Sequence, residues 1–254
     1  MSKNFELLEQ AGKDRQIAPV IELKDMSAIS RGKGNDRRNS VGPRLDRLAR
    51  EESLKLVQRI FLLQAGESPR AVVFAGIDHR NGCTRICAGA ALTLAANAPG
   101  TVCLVDANLR SPSLPELFGV TNHHGLTDAL LEEGPIRDFV RPLGPKNLSL
   151  LSCGSLTADS SAVLNSDRLK KRLAGLREEF DHVLIDAPPL NQYADALALG
   201  QLADGLILVL EANSTRRESA LNVTKSLRAA QVQVLGAVLN MRTFPIPESL
   251  YHKL

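Results

Sequence analysis

The chain has 254 residues, of which 44% are hydrophobic, 23% charged and 4% aromatic, with no tryptophan and a net charge of +3. That is enough apolar material for one good-sized core, and the small charge imbalance gives no reason to expect a nucleic-acid partner. No apolar run approaches the roughly 20 residues of a membrane helix, and MSKNFELLEQ at the start holds no apolar signal core, so a cytoplasmic protein is expected.

The charge is uneven. Residues 1–50 carry 11 Lys+Arg against 7 Asp+Glu, leaving 20 against 21 for the rest. Residues 1–44 read as a basic, disordered tail with a short helix at 4–13, solvated rather than bound to nucleic acid or lipid. Within it, MSAISRGKGNDRRNSVGP (26–43) reads as a linker, rich in Gly, Ser, Asn and Arg. A helix with a broad apolar face follows over 45–64. Residues 71–75 are a short apolar run before Gly76, which predicts a buried strand. From Thr84 small and apolar residues continue with no proline until Pro99, which predicts a buried helix.

Strand and helix patterns then alternate. Strands are expected at 101–105, 147–152, 182–185, 206–210 and 234–239, and helices at 125–133, 167–180, 195–202 and 215–231. Unbroken apolar strands point to burial on both faces, and the alternation predicts an α/β fold with a doubly wound, mostly parallel sheet. The four cysteines, Cys83, Cys87, Cys103 and Cys153, fall in helix or strand contexts and read as buried small residues rather than a disulfide framework.

Three strand ends carry polar residues. The first, GIDHRNGCTR, has the layout of a phosphate-binding loop, G-x-x-x-x-G-K-[ST], in which backbone N–H groups cradle phosphates, the lysine reaches the β/γ-phosphates and the hydroxyl holds magnesium. Gly82 and Thr84 stand at the last glycine and the hydroxyl. Cys83 stands in place of the lysine, and Ile77 takes the first-glycine position with Gly76 one place early. The second is LVDANLR, with Asp106, Asn108 and Arg110; the third is LIDAPP, with Asp186. Ligands of open α/β sheets bind outside the carboxyl ends of the strands, so the three groups are expected to converge there. Magnesium takes hard oxygen ligands and keeps several waters, so acids at apolar strand ends suit it.

These motifs resemble those of the cytoplasmic bacterial tyrosine kinases of capsule and exopolysaccharide synthesis, relatives of the cell-division and partition ATPases with a P-loop NTPase fold. The resemblance runs from about Glu51 to the C-terminus and includes DALALGQLADGLILV. It implies a domain over 45–254 that begins with an oligomerisation helix, where Glu52, Lys55 and Gln58 fall at the family's E-x-x-R-x-x-R positions. It implies ATP or ADP with Mg²⁺ as cofactors. Thr84, Asp106 and Asp186 are the implied metal ligands, Asp106 and Asp186 also the catalytic acids. Gly82, Cys83, Thr84, Arg85 and Asn240 are the implied nucleotide contacts, Asn240 through adenine. The implied partners are further copies of the chain and a membrane-embedded polysaccharide co-polymerase, which would place the protein at the inner face of the membrane.

The departures are as telling. Cys83 replaces the lysine and Asn108 the second acid of the family's D-x-D. His79, Arg80 and Asn81 replace Pro, Gly and Glu, and the tail TFPIPESLYHKL keeps one tyrosine, Tyr251, where the family has a cluster. A kinase-derived regulator with weakened or absent catalysis is the expectation. Its rivals are an active tyrosine autokinase in which Arg80, Arg85 or a neighbouring subunit supplies the missing cation, and a positioning ATPase. The last would need a signature lysine where this chain has Asp78. Arg80 also reads as a solvated loop charge and Arg85 as an exposed first-turn residue. Cys83 reads as a small filler, or as a thiol activated by the helix N-terminus.

Overall fold

A computed structural model describes residues 20–24, 47–63, 66–144, 147–155 and 167–242. The helix expected at 4–13, the linker over 26–43 and Tyr251 lie outside them. Eight strands form one sheet in the order β1-β8-β7-β2-β6-β3-β5-β4. They are β1 (Val20–Lys24), β2 (Ala71–Gly76), β3 (Val102–Asp106), β4 (Arg141–Pro142), β5 (Leu148–Leu151), β6 (His182–Ala187), β7 (Gly205–Glu211) and β8 (Val234–Arg242). All neighbours are parallel except β4, which runs antiparallel to β5 at the edge.

The helices are α1 (Arg47–Val57), continued by a π turn at Gln58–Leu62, α2 (Cys83–Asn97), α3 (Leu114–Phe118), α4 (Leu126–Leu131), α5 (Asp167–Glu179), α6 (Asp195–Leu202) and α7 (Arg217–Ala229), with a 3₁₀ turn at Ile136–Phe139. Alternation along β2 shows how the sheet divides the core. Ala71, Val73 and Ala75 join the cluster under α4, α5, α6 and α7, whereas Val72 and Phe74 join the cluster under α1 and α2. A strand buried on both faces needs apolar residues at every position, which is why β2, β3 and β7 read as unbroken runs. The doubly wound, mostly parallel sheet is as expected.

One correction falls in the N-terminal segment. Val20–Lys24, inside the stretch expected to be a disordered tail, is a strand paired in parallel with β8, Val20 opposite Ala237 and Ile21 opposite Val238. Val-Ile-Glu-Leu has strand propensity, but the run is short and finds its partner more than 200 positions away, so no local pattern marks it as part of the sheet.

The stretch that resembles DA…LADG fastens the fold at both ends. Asp204 Oδ2 accepts the N–H groups of Arg70 and Ala71, each at 2.8 Å, and Oδ1 pairs with Arg177 at 2.8 Å, fixing the entry of β2. Asp195, 5% exposed, pairs with Arg110 Nε at 3.3 Å. Glu52, expected at an oligomerisation surface, is only 4% exposed and accepts from Lys55 on its own helix at 2.9 Å.

Candidate functional site

The carboxyl ends of β2, β3, β6 and β8 open into a cleft of ≈ 1410 Å³. Gly82, Cys83, Thr84, Arg80, Arg85, Asn108 and Asn240 are among the residues that line it, with Ser113 and Glu116 on the side of α3. β2 delivers the chain to the loop, and α2 begins at Cys83, so its first N–H groups face the same space. Gly82 turns the chain at φ 81°, the left-handed region, and a side chain there would run into the amide of Asn240. Gly82→Ala is therefore expected to destabilise the fold by about 2 kcal/mol, read as a lower urea midpoint.

The residues expected to hold magnesium come together. Asp106 and Asp186 are register partners at the ends of β3 and β6, and both are fully buried. Thr84 donates its hydroxyl to Asp186 Oδ2 at 2.6 Å. Asp106 is held by backbone: Oδ1 accepts from Asn108 N at 3.3 Å and Oδ2 from Leu114 N at 3.1 Å. Asp186 Oδ1 is buried with no hydrogen-bond partner.

Neither carboxylate has a salt-bridge partner among the described residues. Burial pushes the Asp186 carboxyl up to about 7 and raises Asp106 as well, which also feels the charge of Asp186. An orphaned carboxylate oxygen beside a second acid and a hydroxyl suits a hard divalent cation. Mg²⁺ would be held there by Thr84, Asp106 and Asp186.

The missing lysine has left an inward-turned thiol. Cys83 is 9% exposed, and its side chain lies against Asp186. Burial, reinforced by that carboxylate, raises its thiol well above the ordinary value. The activated thiolate is thus corrected: desolvation outweighs the pull of the helix N-terminus, and Cys83 is a filler. Cys87, Cys103 and Cys153 are likewise free and buried, as expected.

Asn240 is fully buried, and its Nδ2 donates to the backbone oxygen of Asn81 at 2.8 Å, so in this arrangement it anchors the loop. Asp78, at the signature-lysine position of the positioning ATPases, accepts from Asn191 Nδ2 of its own chain at 2.8 Å. Arg110 lies over the ring of Tyr193, 4.6 Å from its centroid. Sequence reasoning took Asn81 only as a departure from the family's loop, and it missed Asn191 and Tyr193. Asn191 and Tyr193 fall in no motif, and each makes its contact with a residue far away in sequence.

A parallel sheet with a glycine loop, a hydroxyl and two acids at its carboxyl edge is the arrangement of a P-loop NTPase fold. Comparison with known proteins places it further. The profile of the ParA family, described as NUBPL iron-transfer P-loop NTPase, matches residues 82–253, and the chain belongs to that family. It is similar to the tyrosine-protein kinase YwqD of Bacillus subtilis, 32% identical over 139 residues that cover 55% of this chain and 59% of that protein. The chain thus spans less than two thirds of the length of that relative. Among solved structures it is similar to the VpsO kinase domain (TM-score 0.70, 25% identity, 77% of this chain and 97% of that one). It also resembles the kinase domain of the Escherichia coli tyrosine kinase ETK (TM-score 0.76, 20% identity, 94% and 95%). The named relatives are bacterial tyrosine kinases, and the fold is theirs.

Proposed function

We propose that this chain is a kinase-like P-loop protein that regulates exopolysaccharide or capsule synthesis and export, in which phosphoryl transfer is weakened or lost. Residues 45–254 form the kinase-like domain. Its partners are a membrane-embedded polysaccharide co-polymerase, which holds it at the inner face of the membrane, and further copies of itself. The observation that carries this reading is Cys83: where relatives of this motif place a cation, a buried thiol lies against Asp186. Phosphoryl transfer depends on positioning and on neutralising phosphate charge, and a thiol supplies none. In the nucleotide site Gly82, Cys83, Thr84, Arg85 and Asn240 shape the phosphate loop, while Thr84, Asp106 and Asp186 hold magnesium. Asn108 in place of an acid removes a further charge from the metal's surroundings.

The test is incubation of the purified chain with MgATP, followed by phosphotyrosine detection and by calorimetry with ATP and ADP, with and without magnesium. No phosphotyrosine and weak or no nucleotide binding are expected. Tight magnesium-dependent binding with transfer to Tyr251 would overturn the reading. It would favour the active autokinase, a rival supported by the presence of Arg80 and Arg85 on the wall of the cleft. In that case Arg80→Ala or Arg85→Ala identifies the substitute cation by its loss of activity. The bond between Asp78 and Asn191 weighs against a positioning ATPase, because the residue at the signature-lysine position is engaged within its own subunit.

A further inference from the structure

Asn81, just before Gly82, is 2% exposed. Its carboxamide packs against Gly76, where any side chain would collide with it. Nδ2 donates to the carbonyl of Val209 at 3.2 Å, and Oδ1 accepts the N–H of Cys83 at 3.1 Å. Cys83 opens α2, and its N–H is one of the donors that a loop of this shape offers to a phosphate oxygen. Here the protein's own amide oxygen takes that donor.

We infer that Asn81 sets the phosphate affinity of the loop: its Oδ1 occupies the Cys83 N–H in place of a phosphate oxygen, and the loop binds phosphate groups less tightly than its backbone shape allows. This rests on the nucleotide-site reading above. The competing role for a buried Asn is to hold the loop in shape, but other bonds do that. Ile77 N donates to Val209 O at 3.1 Å, Leu190 N to Gly76 O at 2.9 Å and Asn191 N to Ile77 O at 3.1 Å. Asn191 Nδ2 donates to Asp78 at 2.8 Å, and Asn240 Nδ2 to the backbone oxygen of Asn81 at 2.8 Å. None of these needs the Asn81 carboxamide. Removing it uncaps Cys83 and leaves them in place.

A second observation points to a cation that would accompany the phosphate at this end of the loop. The buried carboxylate of Asp186, bonded to Thr84, keeps Oδ1 without a partner. A phosphate oxygen makes a charge-assisted bond to a backbone N–H, roughly twice as strong as a neutral amide oxygen makes, so a freed donor favours the anion.

The experiment is calorimetry of the full chain with MgADP and with inorganic pyrophosphate. Asn81→Ala is expected to bind both about tenfold tighter than the wild type, and Asn81→Asp, which keeps an acceptor at Cys83 and adds negative charge, to bind them more weakly. In the ligand-free chain, hydrogen exchange at the Cys83 amide is expected to quicken in Asn81→Ala. Circular dichroism establishes that the variant is folded. If it is not, Asn81→Val, which fills the space without an acceptor, replaces it. Unchanged or weaker binding in a folded variant overturns the inference, as does pyrophosphate binding in neither variant nor wild type. A wild type that binds MgATP tightly and phosphorylates itself would overturn the functional reading, yet leave the comparison between wild type and Asn81→Ala decided by these same affinities.

Discussion

Cys83→Lys is expected to raise MgATP turnover by on the order of 10²–10³, the usual effect of one well-placed donor to developing charge. The rest of the site is in place for it. Thr84 and Asp186 are 2.6 Å apart, Asp106 is adjacent, and the loop is wrapped with Gly82 in its left-handed conformation. A lysine at the first residue of α2 would keep its stem in the space of the thiol and carry its ammonium past Asp186 toward the phosphates. That carboxylate would help to hold the ammonium charged. Phosphate release measured on the variant and on wild type gives the comparison, and calorimetry with MgATP separates binding from turnover. A folded Cys83→Lys protein that neither binds MgATP more tightly nor hydrolyses it faster would place the loss of activity elsewhere, with Asn108 the next residue to restore, as Asn108→Asp.

Asp186→Asn is expected to reduce the fall of stability with rising pH between about pH 4 and pH 7, leaving the part that belongs to the buried carboxyl of Asp106. Burial raises the native Asp186 carboxyl from 3.8 to about 7. The folded chain therefore holds a proton that the unfolded chain has released. Its contribution to stability is complete below the unfolded value and is lost as pH rises toward the folded one. At about 1.4 kcal/mol per pH unit, the span from 3.8 to about 7 is worth about 4 kcal/mol. In chelator, wild-type melting temperature is expected to fall between about pH 4 and pH 7, and that of Asp186→Asn to fall less. At pH 8, millimolar Mg²⁺ is expected to recover wild-type stability by binding the folded state alone, and to leave the variant unmoved. A wild-type profile that is flat in chelator would mean that Asp186 is ionised in the folded protein across this range.

The parts of the fold legible in the sequence are those whose pattern is local. Strands β2, β3, β5, β6, β7 and β8 and the long helices announce themselves through apolar runs and periodicity. The short elements do not: α3 has five residues with a proline at its start, β4 has two residues, and β1 acquires meaning only beside β8. The site divides in the same way. Thr84, Asp106 and Asp186 were legible because their spacing is the motif, and the structure brings them together. The burial of Glu52 and the pairing of Arg110 with Asp195 across 85 positions were not, since each is decided by the packing of distant segments. Nor was the carboxamide of Asn81 beneath the loop, because in a Gly-rich stretch an asparagine reads first as a turn residue.

The pairing of β1 with β8 couples two ends of the molecule. Glu22 lies opposite Leu239 and Lys24 opposite Arg242, so the N-terminal strand grips the edge of β8 on both sides of Asn240, whose amide holds the phosphate loop. A partner that seized β1 and peeled it away would loosen the strand that carries the loop's anchor. Val20–Lys24 thus offers a mechanical handle on the cleft, one strand removed from it.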